Sequence, residues 1–185
     1  MVATLPLTSG TWSFDPAHSG VHFKVRHLGL TNVHGRFNGV DAWLKVGDDL
    51  AGTSFGATID IATIDTNNAD RDAHLLSTDF FSAESHPTMT FTSSAIREAG
   101  SDEFEADGDL TINGVTKPVT LSVEFTGAAD HPGDGLLHSG FIATTKILRD
   151  DFGIDFNMPL GVDKFALGKK IDIDIDVQFV APAAG

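Results

Sequence analysis

The chain has 185 residues, 41% hydrophobic and 21% charged, a composition that fits one globular domain and excludes a disordered chain. It has no cysteine, which rules out disulfides, thiolate metal sites and cysteine nucleophiles together. A net charge of −14 repels nucleic-acid phosphates and anionic lipid head groups, so no nucleic-acid partner is expected and the acid serves solubility.

Residues 1–10 form an N-terminal segment without a basic n-region or a long apolar run. No stretch reaches the roughly 18 apolar residues of a membrane-spanning helix. The expectation is therefore a soluble, cytoplasmic protein with no integral membrane segment.

The first informative stretch runs from Asp15 to Gly29. From Ser19 onward it reads as a strand: Val21, Phe23, Val25 and His27 fall on one face, and His22, Lys24 and Arg26 on the other. An apolar face that ends in an imidazole suggests a greasy interior with a polar handle, as a site for a lipid with a head group requires.

Further strands follow in order. The run from Val33 to Val46 carries Phe37 and the Trp43/Leu44 pair, and Gly47-Asp48-Asp49 makes a turn. Phe55, Ala57, Ile59 and Ile61 alternate with Gly56, Thr58 and Asp60. Asn67 to Leu76 is the one helical segment, with asparagine caps and acidic residues in its first turn; Ser77 to Phe81 can add a short turn, and Pro87 ends the region. Met89, Phe91 and Ser93 alternate with threonines.

Phe104 to Ile112 and Val119 to Phe125 are alternating strands, and Asn113-Gly114 between them is a strong hairpin signal. Pro118 should mark a bulge or a strand end. Ala128 to Gly135 reads as a flexible loop. In the last strand Ile171, Ile173, Ile175, Val177 and Phe179 alternate with Asp172, Asp174, Asp176 and Gln178. The aspartate row is read as the wet face of a strand, not as a metal site. Residues 181–185 read as a frayed tail.

One-sided strands in this number predict an all-β, antiparallel sheet that closes on itself, since closure removes exposed edges. A barrel of about eight strands is wide enough to be filled by side chains or to hold one ligand. A solid β-sandwich fits the same pattern.

Four blocks stand out in order. The first runs from Trp12-Ser13-Phe14-Asp15-Pro16-Ala17-His18-Ser19 through His27-Leu28-Gly29 to Gly35-Arg36-Phe37. The second joins Arg71-Asp72-Ala73-His74-Leu75, Asp79-Phe80-Phe81 and Pro87-Thr88-Met89-Thr90-Phe91. Gly108 to Val119 and Arg149-Asp150-Asp151-Phe152-Gly153 complete the set. In this order the blocks resemble the YceI-like family of polyisoprenoid-binding proteins. The sequence departs from the family at Gly168-Lys169-Lys170, where an aspartate usually follows the glycine, and in lacking the secretory leader many members carry.

The resemblance covers residues 11–180. It implies an extended, lipocalin-like barrel whose apolar pore binds an isoprenoid or similar lipid, such as a prenyl quinone or prenyl phosphate, as carrier, store or sensor and without catalysis. No cofactor is expected besides that lipid. The wall would come from Phe23, Val25, Phe37, Phe91, Leu121, Val123, Phe141, Ile173 and Ile175; packing of the same residues in a solid core is the alternative. The sequence has fourteen phenylalanines and no tyrosine, so aromatic wall comes without hydroxyls that would need buried partners.

His27, Arg71, Asp72, His74 and Arg149 are the expected polar mouth. Arg71 and His74 share a helix face. Structural roles compete at four of them: Arg71 with a nearby carboxylate, His74 as a helix anchor, Arg149 paired to Asp150 or Asp151, and His27 as a core histidine. At about 0.8 kcal/mol per buried CH₂, a tail of about twenty carbons corresponds to a gross ~16 kcal/mol, near the ceiling for non-covalent binding. Chain ordering must cancel much of that, so tail length should be read loosely and the head group should give selectivity.

No metal site is expected. Among His18, His22, His27 and His34, strand parity sends His22 and His27 to opposite faces. No nucleophile elbow is present. A fatty acid or fatty amide ligand, or an interaction scaffold with a solid core, are the rival readings. An exposed aromatic rim would permit a homodimer.

Overall fold

A computed structural model describes residues 4–162 and 164–182. Its strands in chain order are β1 (Gly10–His27), β2 (Thr31–Phe37), β3 (Val40–Val46), β4 (Ser54–Asp60), β5 (Ile64–Asp65), β6 (Thr88–Glu98), β7 (Glu103–Ile112), β8 (Val115–Asp130), β9 (Leu137–Leu148), β10 (Pro159–Gly161), β11 (Lys164–Phe165) and β12 (Leu167–Val180). One α-helix, α1 (Ala69–Leu76), and two 3₁₀ turns, Ile61–Thr63 and Arg149–Phe152, complete the described elements.

Eight strands close a ring in the order β1-β3-β4-β6-β7-β8-β9-β12, with β12 returning to β1. All the ring pairings are antiparallel. The architecture is thus a closed β-barrel, and the sandwich alternative is excluded.

β1 is longer than the sequence pattern suggested, because it serves two neighbours in turn. Gly10 to Ser13 pair with β3, whereas Val21 to His27 pair with β2. Between them the register against β12 shifts from Asp15/Gln178 to Gly20/Asp176. Pro16 in this bulge has no ladder N–H to offer. The Asp15 carboxylate accepts from Ala17 N at 3.0 Å, and the Ser19 hydroxyl donates to the Asp15 carbonyl at 2.6 Å while accepting from Gln178 N at 3.0 Å. The Asp-Pro-Ala-His-Ser block is therefore a self-bonded bulge.

Asn113 and Gly114 have φ of 52° and 73°, the two positive values a type I′ hairpin requires. Asn68 caps α1, its side-chain oxygen accepting from Arg71 N. Pro118 lies where β8 pairs only with β7, before pairing with β9 begins at Ser122.

Two expectations need correction. β8 continues through Asp130, so the loop expected from Ala128 is shorter; pairing of Ala128 to Asp130 with β9 extends the ladder past a register shift at Phe125/Gly127. Ala181 is held by a bond from its N–H to the Leu137 carbonyl at 2.8 Å, so the tail does not fray there. Residues 183–185 of that tail, and residues 1–3 of the N-terminal segment, lie outside the described residues. No described helix is long and apolar enough to cross a membrane.

Candidate ligand-binding cavity

The inward faces of the ring strands do not meet in the middle. They enclose an apolar cavity of about 610 Å³, within the range of small-molecule sites. Phe23, Val25, Phe37, Phe91, Leu121, Val123, Phe141, Ile173 and Ile175 all border it. Phe23, Val123, Ile173 and Ile175 point inward yet are only half-buried, because they face a hollow instead of packed atoms. Phe23 lies across the backbone of its cross-strand partner Gly35, where a Cβ would stand 2.2 Å from the ring tip, so only glycine leaves room for that aromatic wall.

One end is stoppered. Trp12, Leu44, Val46 and Phe179 form a buried cluster, and the Trp12 indole N–H donates to the Thr8 carbonyl at 3.0 Å. Leu50, Phe104 and Phe125 pack beside it, with Leu5 and Leu7 of the N-terminal segment against them.

The other end carries the polar groups. Arg149 is 5% exposed and borders the cavity. Its Nε donates to the Gly168 carbonyl at 3.0 Å, and its Nη1 donates to the carbonyls of Ile154 and Phe156 at 2.8 and 2.9 Å. This fork staples the segment after the 3₁₀ turn to the start of β12. The Nη2 group has no hydrogen-bond partner among the described residues. Desolvation lowers the Arg149 pKa from its ordinary value, against the pull of Asp150 and Asp155. Asp150 pairs instead with Lys169 at 2.6 Å, so the expected Arg149 ion pair does not form.

His27, Arg71 and His74 also border the cavity. Arg71 donates from Nε to the Thr66 hydroxyl at 2.8 Å and from Nη2 to the Thr66 carbonyl at 2.6 Å, not to a carboxylate. His74 is hydrogen-bonded to Asp79 at 2.8 Å and presents its ring edge-on to Phe80 and Phe156, at centroid distances of 5.1 and 5.2 Å. Asp72 must be corrected: its carboxylate accepts from the Thr66 N–H at 3.0 Å and from the Thr66 hydroxyl, and it does not border the cavity. That carboxylate is spent fixing the strand-to-helix turn.

Phe80, Phe81, Phe156, Asn157 and Met158 border the mouth without having been singled out. The first two sat inside a quoted block, whereas Phe156 to Met158 lie in irregular chain with no periodicity to mark them. Asn157 holds that chain, accepting from Leu167 N at 2.9 Å and donating to the Leu167 carbonyl at 2.7 Å. Around them is an exposed apolar rim: Leu28 and Leu30 from the β1–β2 turn, and Met158, Leu160, Val162 and Phe165 beside and within the β10–β11 hairpin. The Leu28 N–H donates to the Ala166 carbonyl at 2.7 Å, joining the two parts of the rim.

A closed antiparallel barrel, hollow, stoppered at one end and polar at the other, defines a class of single-cavity binding folds. The YceI-like domain model matches residues 12–179, and the chain belongs to the YceI-like family. A UPF0312 protein of Staphylococcus epidermidis is 39% identical over 170 residues, spanning 91% of this chain and 96% of its own. The crystal structure of the Campylobacter jejuni YceI protein superposes with a TM-score of 0.71 at 32% identity, covering 86% of this chain and 91% of that one. A polyisoprenoid-binding domain from Saccharophagus degradans shares the fold at a TM-score of 0.64 and 13% identity, over 95% of this chain and all of that one.

Proposed function

We propose that the protein binds one long-chain isoprenoid, such as a prenyl quinone or prenyl phosphate, with the tail in the barrel and the head group at the Arg149 end, and acts as a carrier, store or sensor without catalysis. The observation that carries this reading is the apolar cavity with a buried guanidinium at its mouth and an unspent Nη2. A tail without hydrogen-bonding groups needs such a wall, and a phosphate or quinone oxygen needs such a donor. Membership of the YceI-like family and the shared fold of the Saccharophagus domain support it.

The wall's own chemistry favours binding over reaction. Two hydroxyls on the lining are committed elsewhere, that of Thr53 in the β3–β4 connection to the Asp49 carbonyl at 2.8 Å and that of Thr145 on β9 to the Thr120 carbonyl at 2.9 Å. The hollow weighs against a solid interaction scaffold. A fatty acid or fatty amide would satisfy the same wall and is separated by identifying the bound species. The rim's exposed apolar residues also supply a surface for a homodimer, which light scattering checks.

Native mass spectrometry of the purified protein, followed by lipid extraction, tests the reading. The expected result is one prenyl lipid per chain, or stoichiometric uptake of an added prenyl quinone or prenyl phosphate. A chain that carries no lipid and takes up neither probe overturns it; a stoichiometric fatty acid or amide replaces the isoprenoid with that class.

A further inference from the structure

Outside the cavity, on the flank of the stoppered end, three histidines and two aspartates converge from distant parts of the sequence. Asp15 and His18 come from the β1 bulge, His131 and Asp134 from the β8–β9 turn, and His138 from the start of β9. One donor atom each from His131, Asp134 and His138 lies within 4.8 Å of the others. Asp134 stands 3.1 Å from His138 Nε2 and 3.5 Å from His131 Nδ1.

The proton positions make this more than a set of surface ion pairs. Gly133 N–H donates to His131 Nδ1 at 3.2 Å, so that nitrogen is unprotonated, 3.5 Å from the Asp134 carboxylate, and a metal would take its lone pair over from this long hydrogen bond. His138 poses the same problem. Its Nδ1 is buried, without a hydrogen-bond partner, 3.6 Å from the Asp15 carboxylate. If Nε2 carries the proton, Nδ1 is a buried orphan. If Nδ1 carries it, directed at Asp15, the Nε2 lone pair confronts Asp134 at 3.1 Å. A cation between Nε2, Nδ1 of His131 and Asp134 resolves both conflicts.

We propose that His131, Asp134 and His138 form a zinc site on the outer wall of the stoppered end, with Asp15 orienting His138 from behind. Two imidazoles and a carboxylate with a fourth position open suit Zn²⁺, which takes four ligands. Bonds of about 2.0–2.1 Å in a tetrahedron put donors about 3.3 Å apart, and the carboxylate stands near that distance from each ring, 3.1 Å from its Oδ2 to His138 and 3.5 Å from its Oδ1 to His131. The third separation, between the donor nitrogens of His131 and His138, is no more than 4.8 Å, and the exposed β8–β9 turn lets it close. A ring N–H held by a carboxylate is how metal-binding histidines are oriented.

Asp15 is well built for that task. Its side chain is 11% exposed, it accepts from Ala17 N and is bonded to His18 Nδ1 at 2.8 Å. The expected exclusion of a metal rested on His18, His22, His27 and His34 as one set; the ligands here come from the short stretch 131–138, and pairing of β9 with β12, and of β12 with β1, brings Asp15 up beside them. This site does not depend on the lipid reading.

The test is zinc chloride titrated by calorimetry into chelator-treated full-length protein at about pH 7.5. One Zn²⁺ per chain is expected, unmoved by Mg²⁺ or Ca²⁺, with a rise in melting temperature of about 5–10 °C at a hundredfold excess over Kd. His131→Ala and Asp134→Asn should abolish it, Asp15→Asn should weaken it about 10–100-fold, and His34→Ala should leave it unchanged. Circular dichroism checks that each variant is folded. Binding that survives in the His131→Ala/Asp134→Asn double variant overturns the assignment. So does a chain that takes up no zinc, with both ring protons on His138 by NMR, an imidazolium between two carboxylates.

Discussion

The two ends of the barrel use apolar residues in opposite ways. At the stoppered end Trp12 is 1% exposed and locked by its indole N–H, and its neighbours fill the space the strands leave. At the mouth Val162 is 90% and Leu30 75% exposed, and a charged arginine is among the buried side chains. Apolar burial is what stabilises a fold. The stopper therefore adds to the stability gained along the barrel wall, and the rim forgoes that gain at the opening of the hollow.

The comparison breaks most sharply at Trp12. Trp12→Ala should lower unfolding free energy by about 3–5 kcal/mol, the range for large aromatic truncations in a packed core. Urea denaturation should show a lower midpoint with an unchanged slope. A loss below about 1 kcal/mol would mean that the stopper is not the packed end.

Arg149→Lys probes the mouth by keeping the charge and removing the fork. One ammonium cannot serve the carbonyls of Gly168, Ile154 and Phe156 in the guanidinium's geometry. The expected cost is about 2–3 kcal/mol. Uptake of a prenyl phosphate should fall more than uptake of a prenyl hydrocarbon, measured in the folded variant by mass spectrometry. Equal losses for both would assign Arg149 to structure alone.

Ile173→Ala separates hollow from packed interior. In a filled core such a truncation costs about 2–5 kcal/mol, but Ile173 already faces empty space and loses fewer contacts, so about 1–2 kcal/mol is expected. A loss as large as that of Trp12→Ala would show that the barrel has collapsed around this side chain.

Strand parity was legible from residues alone. Val21, Phe23 and Val25, or Ile171 to Phe179, can bury one face only if they alternate, and Asn113-Gly114 can only be a tight turn. Hollowness was not legible, because parity is the same for a filled and an empty barrel; it depends on how far the strands stand apart once the ring closes. The resemblance to the YceI-like family supplied that expectation. Asp72 misled because its place in the Arg71-Asp72-Ala73-His74 block does not reveal that Thr66 takes up its carboxylate. His131, Asp134 and His138 are close in sequence but lie on and beside a stretch read as a flexible loop, where no periodicity sets their geometry; Asp15 lies 116 and 123 residues from the two histidines, and only the β9–β12–β1 pairing brings it to them.

The smallest effect should have the opposite sign. Leu28 adopts φ of 54° in the β1–β2 turn, a left-handed conformation that a leucine adopts at a cost and an asparagine tolerates. Its side chain is also 43% exposed, so neither backbone nor burial explains a leucine there. A strained residue that presents apolar surface beside the mouth is what an access route for a lipid would select, and what stability alone would remove. Leu28→Asn should therefore raise unfolding free energy by about 0.5–1 kcal/mol while slowing lipid uptake, followed by stopped-flow with a fluorescent prenyl probe. Greater stability with unchanged uptake would detach the rim from loading and leave the mouth's polar groups alone responsible for it.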